Sequence, residues 1–163
     1  AVDQARQRSL TLSSLDVIGF HRPDIQTFNE LLLLYPKPGA GQWGLAGVIP
    51  DNMIVSHPTR LTPNWYYGLP LQPVGPTLVL DYPSDTNRRK DYDRNRAVYE
   101  SELKVPYHLV FPVESRQLRV CELVRGRYTP VRADANGRFP IPELELAVGL
   151  LDGWVRYWFR GEL

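Results

Sequence analysis

The sequence predicts an α/β fold with a mixed central sheet flanked by helices. Residues 77–82 form a continuous apolar run that ends in an acid, and residues 107–111 form a second run of the kind typical of buried strands. The charged, amphipathic segment 85–103 separates them, and the order strand, helix, strand implies a right-handed parallel crossover. From residue 117 onward, alternating segments joined by short turns are antiparallel in character. A sheet with both kinds of pairing fits these observations.

The composition is that of one folded domain. The chain has 163 residues, of which 43% are hydrophobic and 23% charged, and its formal net charge is +1. These values exclude collagen-like and disordered classes and argue against a protein that simply coats DNA. We expect a partly ordered N-terminal arm over residues 1–20 and a single domain over residues 21–163. Only three of the 19 cationic residues are lysines.

Cysteine and histidine usage argues against a disulfide framework and against a zinc site. Cys121 lies in an alternating stretch and is expected to be a small, buried or half-buried apolar residue. His21, His57 and His108 stand singly, which is not zinc-ligand spacing. Without a membrane-length apolar run or a visible signal peptide, a cytoplasmic protein is expected. The chain begins at Ala1 without a methionine, so residues that precede Ala1 in the full protein are an open alternative.

The first half of the chain contains one helical pattern and several short apolar runs. Between Pro23 and Pro36 the apolar residues recur at helical spacing, which predicts a helix, while four consecutive leucines keep a strand open. Residues 43–49 and 53–55 are predicted to be adjacent strands. Residues 58–76 are predicted to form a long surface loop, whose aromatic residues either stack on a ligand or, the favoured alternative, pack the loop onto the domain.

The last third predicts a hairpin and a closing aromatic segment. Alternating runs flank the turn at Arg125–Gly126, and Asn136–Gly137 is a second turn signal. Residues 154–159 alternate aromatic and other residues and are predicted to be a strand or short helix that covers the core.

Two aspartates are the informative pair. Asp51 and Asp81 each lie where an apolar strand meets a turn. Carboxylates that meet at the ends of neighbouring strands repel each other, so a fold that keeps them usually binds a divalent cation or shifts one pKa. Oxygen ligands without nitrogen or sulfur favour Mg²⁺ or Mn²⁺. The structural alternative is that each aspartate caps its own turn.

A basic cluster follows Asp81. It includes Arg88, Arg89, Lys90, Arg94 and Arg96, which can grip phosphates through charge and bidentate guanidinium contacts. The alternative is a solvated helix face neutralised by neighbouring acids, and charge counting favours it.

Several segments also follow one another in a recognisable order. They are Pro50–Asp51, residues 78–84 (LVLDYPS), a charged helix through Tyr99, residues 105–107 (VPY), residues 141–146 (IPELEL) and residues 153–158 (GWVRYW). This ordered set resembles the Uma2 family of restriction-endonuclease-like proteins, in the PD-(D/E)xK nuclease superfamily. The resemblance implies a restriction-endonuclease-like core and metal-dependent hydrolysis of phosphodiester bonds. It also implies that Asp51 matches the PD aspartate and Asp81 the second acid, both as metal ligands.

The chain departs from the superfamily pattern at its lysine. The lysine expected two residues after the second acid is replaced by Pro83. Relatives tend to carry it on the following helix, four residues before the tyrosine that matches Tyr99, and that position is Asn95; counting back from the next strand gives Arg96 instead. Lys90 is the only nearby lysine, about 140° around a regular helix from Asn95.

The leading hypothesis is therefore a metal-dependent endonuclease acting on DNA. Asp51 and Asp81 would bind Mg²⁺ or Mn²⁺, and Arg96 or Lys90 would stabilise the phosphate. A catalytically inactive nuclease fold, binding DNA or acting as a scaffold alone or as a homodimer, is the alternative, because both usual lysine positions are substituted. A structural protein unrelated to nucleic acids is a third hypothesis, which the near-zero net charge keeps open.

Overall fold

The computed structural model describes residues 2–63, 65–69, 71–83 and 89–163, and it leaves the side chains of residues 89–91 undescribed. Twelve strands and two α-helices lie within that part of the chain. In chain order the elements are α1 (Val2–His21), β1 (Ile25–Asn29), β2 (Leu32–Pro36), β3 (Leu45–Val48), β4 (Asn52–Ser56), β5 (Tyr66–Gly68), β6 (Leu78–Asp81), α2 (Arg89–Ala97), β7 (Tyr107–Val110), β8 (Arg119–Val124), β9 (Arg127–Pro130), β10 (Phe139–Ile141), β11 (Leu146–Leu151) and β12 (Trp154–Phe159).

The central sheet has six strands in the order β1-β4-β6-β7-β8-β9. β6 precedes α2 in the chain and β7 follows it, and the two strands pair in parallel, as the strand–helix–strand pattern predicts. The other neighbouring pairs are antiparallel. The predicted mixed sheet is therefore confirmed, and so is the β8–β9 hairpin at Arg125–Gly126.

Two smaller sheets cover the central one. The first has the order β10-β11-β12, and the second the order β3-β2-β5. Successive residues of β6 point to opposite faces of the central sheet, so Leu80 joins one hydrophobic cluster and Val79 the other. The first cluster contains residues of α1 and of the β10–β12 sheet, and the second contains residues of the β2–β3–β5 sheet. All four residues of β6 are buried, which explains its continuous apolar run.

Helix α1 replaces the partly ordered arm that the sequence predicts. Its buried residues, Gln7, Thr11, Leu15 and Ile18, are spaced by four, four and three positions and therefore form one stripe. The first two are polar, so the stripe lacks the apolar pattern by which a helix is recognised. The placement of a domain boundary after residue 20 stays a prediction.

The predicted helix between Pro23 and Pro36 is wrong. This segment forms β1 and β2, which are separated by Glu30 and Leu31, and the backbone of Glu30 adopts a positive φ of 48°. Leu33 and Tyr35 alternate with less buried neighbours, which is the pattern of a strand with one covered face. The strand that the four leucines left open is the one that forms, because its packing in the β2–β3–β5 sheet overrides the local helical spacing.

The strands predicted at residues 43–49 and 53–55, the 58–76 loop and the end of α2 complete the comparison with the sequence predictions. β3 and β4 both exist, but they are not neighbours: β3 pairs with β2, whereas β4 lies between β1 and β6. The 58–76 loop contains the short strand β5, in which Tyr67 is fully buried while the preceding Trp65 is exposed. α2 continues into a π-helical turn, Val98–Glu102. Neither helix in the described part of the chain combines the length and apolarity needed to cross a bilayer.

Candidate active site

Asp51 and Asp81 meet at one end of the central sheet. β4 and β6 are antiparallel, with Met53 opposite Val79, and this register carried two residues further places Asp51 opposite Asp81. The backbone N–H of Tyr82 donates to Asp51 Oδ2 at 2.8 Å, and the backbone N–H of Asp51 donates to Asp81 Oδ1 at 3.4 Å. Each carboxylate is thus held by the strand that carries the other. This arrangement differs from two aspartates that cap separate turns.

The electrostatics of Asp51 follow from its position. Burial, and to a smaller extent the negative charge of Asp81, together raise the pKa of its carboxyl group to a net value of about 6. The Tyr82 N–H and the Arg8 guanidinium stabilise the ionised form and offset part of that effect. Asp51 therefore titrates close to the pH range in which a metal ion competes with a proton for the carboxylate.

His108 holds Asp81 from the other side. Its Nε2 lies 3.0 Å from Asp81 Oδ2, and its ring is completely buried. Because Val79 pairs with His108, and residues two apart on a strand share a face, Asp81 and His108 project from the same face of the sheet. The rings of Tyr92, Tyr99 and Tyr128 pack around the imidazole with centroids 5.1–5.9 Å away. This packing fixes the imidazole and so orients the Asp81 carboxylate.

Tyr99 is also fully buried, in the cluster on this face of the sheet. Burial and the negative charge of Asp81 raise its pKa well above the ordinary value. Tyr99 therefore packs the π-helical turn against the sheet.

Both aspartates line a cavity of about 300 Å³. α1 contributes two of the lining residues, the ends of β4 and β6 contribute the acids, and α2 contributes two more. The described lining residues are Gln4, Arg8, Glu30, Ile49, Asp51, Asp81, Tyr82, Pro83, Tyr92 and Asn95.

Arg8 reaches the acids from α1. Its Nη1 lies 3.2 Å from Asp51 Oδ1 and 3.5 Å from Glu30 Oε1. One turn earlier, the Gln4 side chain donates to the backbone carbonyl of Tyr82. Helix α1 therefore forms part of the cavity wall.

The candidate cations on α2 are placed differently from one another. Asn95 lines the cavity, so one of the two usual lysine positions faces the acids with an uncharged amide. Arg96 instead contacts Cys121 Sγ at 3.7 Å and lies 5.3 Å from the centre of the Tyr128 ring. The side chain of Lys90 lies outside the described residues, as do Arg88 and the side chain of Arg89. The roles predicted for Lys90 and Arg96 stay predictions.

The residues present fit a hard divalent cation. Two carboxylates face a common cavity, and their mutual repulsion is one cause of the raised pKa of Asp51. No cluster of three or more His, Cys, Asp or Glu side chains suited to a metal occurs in the part of the chain that the structure describes. Mg²⁺ is commonly bound by one or two carboxylates, with water and substrate phosphates as further ligands. Asp51 and Asp81 form a donor set of that kind.

Comparison with known families identifies the fold. The family model "Uma2: Putative restriction endonuclease" matches residues 27–151, which is more than half of the chain. The chain belongs to the Uma2 family. The match contains both aspartates and α2, whereas α1 precedes it. Nucleases of the restriction-endonuclease-like group generally use divalent metal ions.

A solved structure is consistent with this membership of the Uma2 family. The chain is similar to a putative nuclease of the DUF820 group from Anabaena variabilis, with a TM-score of 0.57 and 10% sequence identity. The alignment covers 86% of this chain and 73% of the other. At this level of identity the likeness shows a shared restriction-endonuclease-like fold. No functionally curated protein matches the sequence significantly.

Two residues around the acids were missed by sequence reasoning. Arg8 lies in a segment for which the sequence predicts a partly ordered arm, and no local pattern there marks it as a partner of the acids. His108 stands singly, without the spacing of a zinc ligand, but it lies in a run that predicts a buried strand. One signal could have identified His108: it lies in a predicted buried strand next to the predicted strand that ends in Asp81.

Proposed function

We propose that this Uma2 protein is a metal-dependent endonuclease that hydrolyses phosphodiester bonds in DNA. One observation carries the proposal: the carboxylates of Asp51 and Asp81 are held together, each by the other's strand, at a cavity of about 300 Å³. The family description and the nuclease fold support the substrate class.

The protein's own groups have defined tasks under this proposal. Asp51 and Asp81 are the expected ligands of Mg²⁺ or Mn²⁺, which when bound would polarise the phosphoryl group and lower the pKa of the attacking water. His108 orients the Asp81 carboxylate through the 3.0 Å contact. The Tyr82 N–H orients Asp51 at 2.8 Å. Asn95 can donate a hydrogen bond from the cavity wall but supplies no charge.

Replacing Asp81 with asparagine tests the proposal. Asp81→Asn removes one anionic ligand with almost no change in shape, so we expect Mn²⁺ affinity to fall and Mg²⁺-dependent cleavage of plasmid DNA to fall by more than about a hundredfold. Titration calorimetry with Mn²⁺ and gel assays of cleavage measure the two effects. Asp93→Asn is the matched control, because Asp93 is exposed on α2.

Two results would contradict the proposal. Wild-type protein that binds neither Mg²⁺ nor Mn²⁺ at millimolar concentration has no metal site. Cleavage that persists at the wild-type rate in Asp81→Asn would come from another source.

A non-catalytic DNA-binding module is the second candidate. The observation that favours it is the uncharged Asn95 at the cavity wall, together with Pro83 at the other usual lysine position. This candidate predicts salt-sensitive DNA binding without turnover in either metal. The same gel assays separate the two functions.

A further inference from the structure

Among the described residues, the positive charge in the cavity comes from helix α1. Among the described residues that line it, Arg8 is the only cation, because the α2 position in its wall is Asn95 and Arg96 is not among the lining residues. Asp51, Asp81 and Glu30 supply three carboxylates to the same wall. Of the described cations, Arg8 is therefore the one that lines the cavity in which a phosphate of a bound nucleic acid would meet the acids.

The backbone of Arg8 is held firmly in place. One residue earlier, the Gln7 side-chain amide bonds both backbone groups of Val155, accepting from its N–H at 2.9 Å and donating to its carbonyl at 3.1 Å. Three residues later, the hydroxyl of Thr11 lies 3.0 Å from that of Tyr82. These contacts fix α1 on both sides of Arg8. The guanidinium thus starts from a defined position, and its side chain is 18% exposed.

The guanidinium has donors beyond those that contact the acids. Within the described residues, both ion pairs of Arg8 use the same nitrogen, Nη1. Arginine carries five N–H donors in a planar fork that matches phosphate oxygens and remains charged at any physiological pH. The Glu30 partner is 53% exposed, and pairs with such exposed carboxylates are weak and exchangeable. Arg8 can therefore exchange a carboxylate contact for a phosphate contact.

We propose that Arg8 is a phosphate-binding residue of this site and supplies the positive charge that related nucleases obtain from a lysine. The inference rests on the proposed function for its substrate class, the DNA phosphodiester. It adds a residue outside the segment that the family model matches, on a helix that the family model does not include.

Arg8→Gln tests this role against a control on the same helix. Arg6→Gln makes the same charge change two residues away, where the Arg6 guanidinium lies 4.7 Å from the centre of the Trp154 ring. The affinity of a labelled DNA duplex is measured in Ca²⁺ at several salt concentrations, and cleavage is measured in Mg²⁺. For Arg8→Gln we expect affinity to fall about tenfold or more, the salt slope to fall by about one, and cleavage to fall by about a hundredfold. Arg6→Gln is expected to change affinity by less than about twofold.

Arg8→Lys keeps the test decisive if Arg8→Gln does not fold, as judged by circular dichroism. Lysine keeps the charge but lacks the planar fork, so the salt slope stays while cleavage falls about tenfold. Wild-type cleavage in Arg8→Lys would overturn the inference in that case.

The remaining outcomes separate the two proposals. Wild-type affinity in Arg8→Gln, or faster cleavage, would overturn the inference and make Arg8 only a counter-ion of the acids. If the wild type binds DNA through Arg8 but cleaves it in neither Mg²⁺ nor Mn²⁺, the proposed nuclease function fails and the phosphate contact stands. If it binds no DNA at low salt, both fail.

Discussion

At the scale of single residues, the candidate site depends on the contacts that hold the carboxylates of Asp51 and Asp81 together at one end of the central sheet. Asp51 and Asp81 could be selected from the sequence because each lies where an apolar strand meets a turn and belongs to an ordered set of segments that resembles a known family. The residues that contact these two aspartates could not be identified from the sequence. His108 and Arg8 become partners of these acids only through the pairing of β6 with β7 and the docking of α1, which are long-range contacts without a local signal.

The raised pKa of Asp51 predicts a pH dependence of stability. The folded-state pKa, about 6, lies above the ordinary value of 3.8. The folded protein therefore holds this proton more tightly than the unfolded chain, and the resulting stabilisation is complete below about pH 4 and is lost as the pH rises through about 6. Relative to Asp51→Asn, the free energy of unfolding of the wild type should fall by at most about 3 kcal/mol between these limits.

Urea unfolding of both proteins between pH 4.5 and 7.5 measures this difference. A difference that does not change with pH would contradict the predicted titration. Adding Mn²⁺ at pH 7 provides the matching check, because an ion bound to the ionised carboxylate should recover stability in the wild type and less so in Asp51→Asn.

At the scale of elements, α1 is the largest departure from what the sequence predicts. A stripe that is polar in its first half and apolar in its second does not produce an amphipathic pattern, and its polar members are buried only because β12 and Tyr82 offer them partners. The strands β6 and β7 were predicted correctly for the opposite reason. Their burial on both faces leaves a continuous apolar run that is visible without knowledge of any neighbour.

Gln7→Ala tests how strongly α1 is attached. The substitution leaves the N–H and carbonyl of Val155 without their partners in a buried location, and each lost hydrogen bond of this kind costs about 1–3 kcal/mol. We expect a clear drop in the thermal midpoint, measured by circular dichroism. Ser9→Ala, at an exposed position of the same helix, should change it little. Equal midpoints for the two variants would show that α1 contributes nothing to stability through Gln7.

At the scale of the whole molecule, one central sheet separates two hydrophobic clusters. The clusters share its strands, since neighbouring residues of β4 such as Ile54 and Val55 belong to different ones. Loss of either cluster therefore exposes the sheet that supports the other, and we expect both to unfold together. The sequence predicted the mixed sheet but not which strands lie beside one another. The separation of β3 from β4 depends on tertiary packing that no short segment encodes.

Leu33→Ala tests this coupling. Leu33 is fully buried in the β2–β3–β5 layer, and its truncation should cost about 2–5 kcal/mol. Trp158 is buried in the opposite layer, whereas Trp43 and Trp65 are largely exposed, so the change in tryptophan fluorescence on unfolding should come mainly from the β10–β12 side. We expect the fluorescence and circular-dichroism midpoints to shift by the same amount. Separate midpoints would mean that the layers unfold independently.

The attachment of α1 to β12 also has a consequence for synthesis of the protein. Gln7 and its partner Val155 are 148 positions apart in the chain, so the helix emerges from the ribosome well before its docking strand. Until that strand is released, α1 lacks the Val155 contacts. The guanidinium of Arg8 therefore takes its final position beside Asp51 only after β12 has been synthesised.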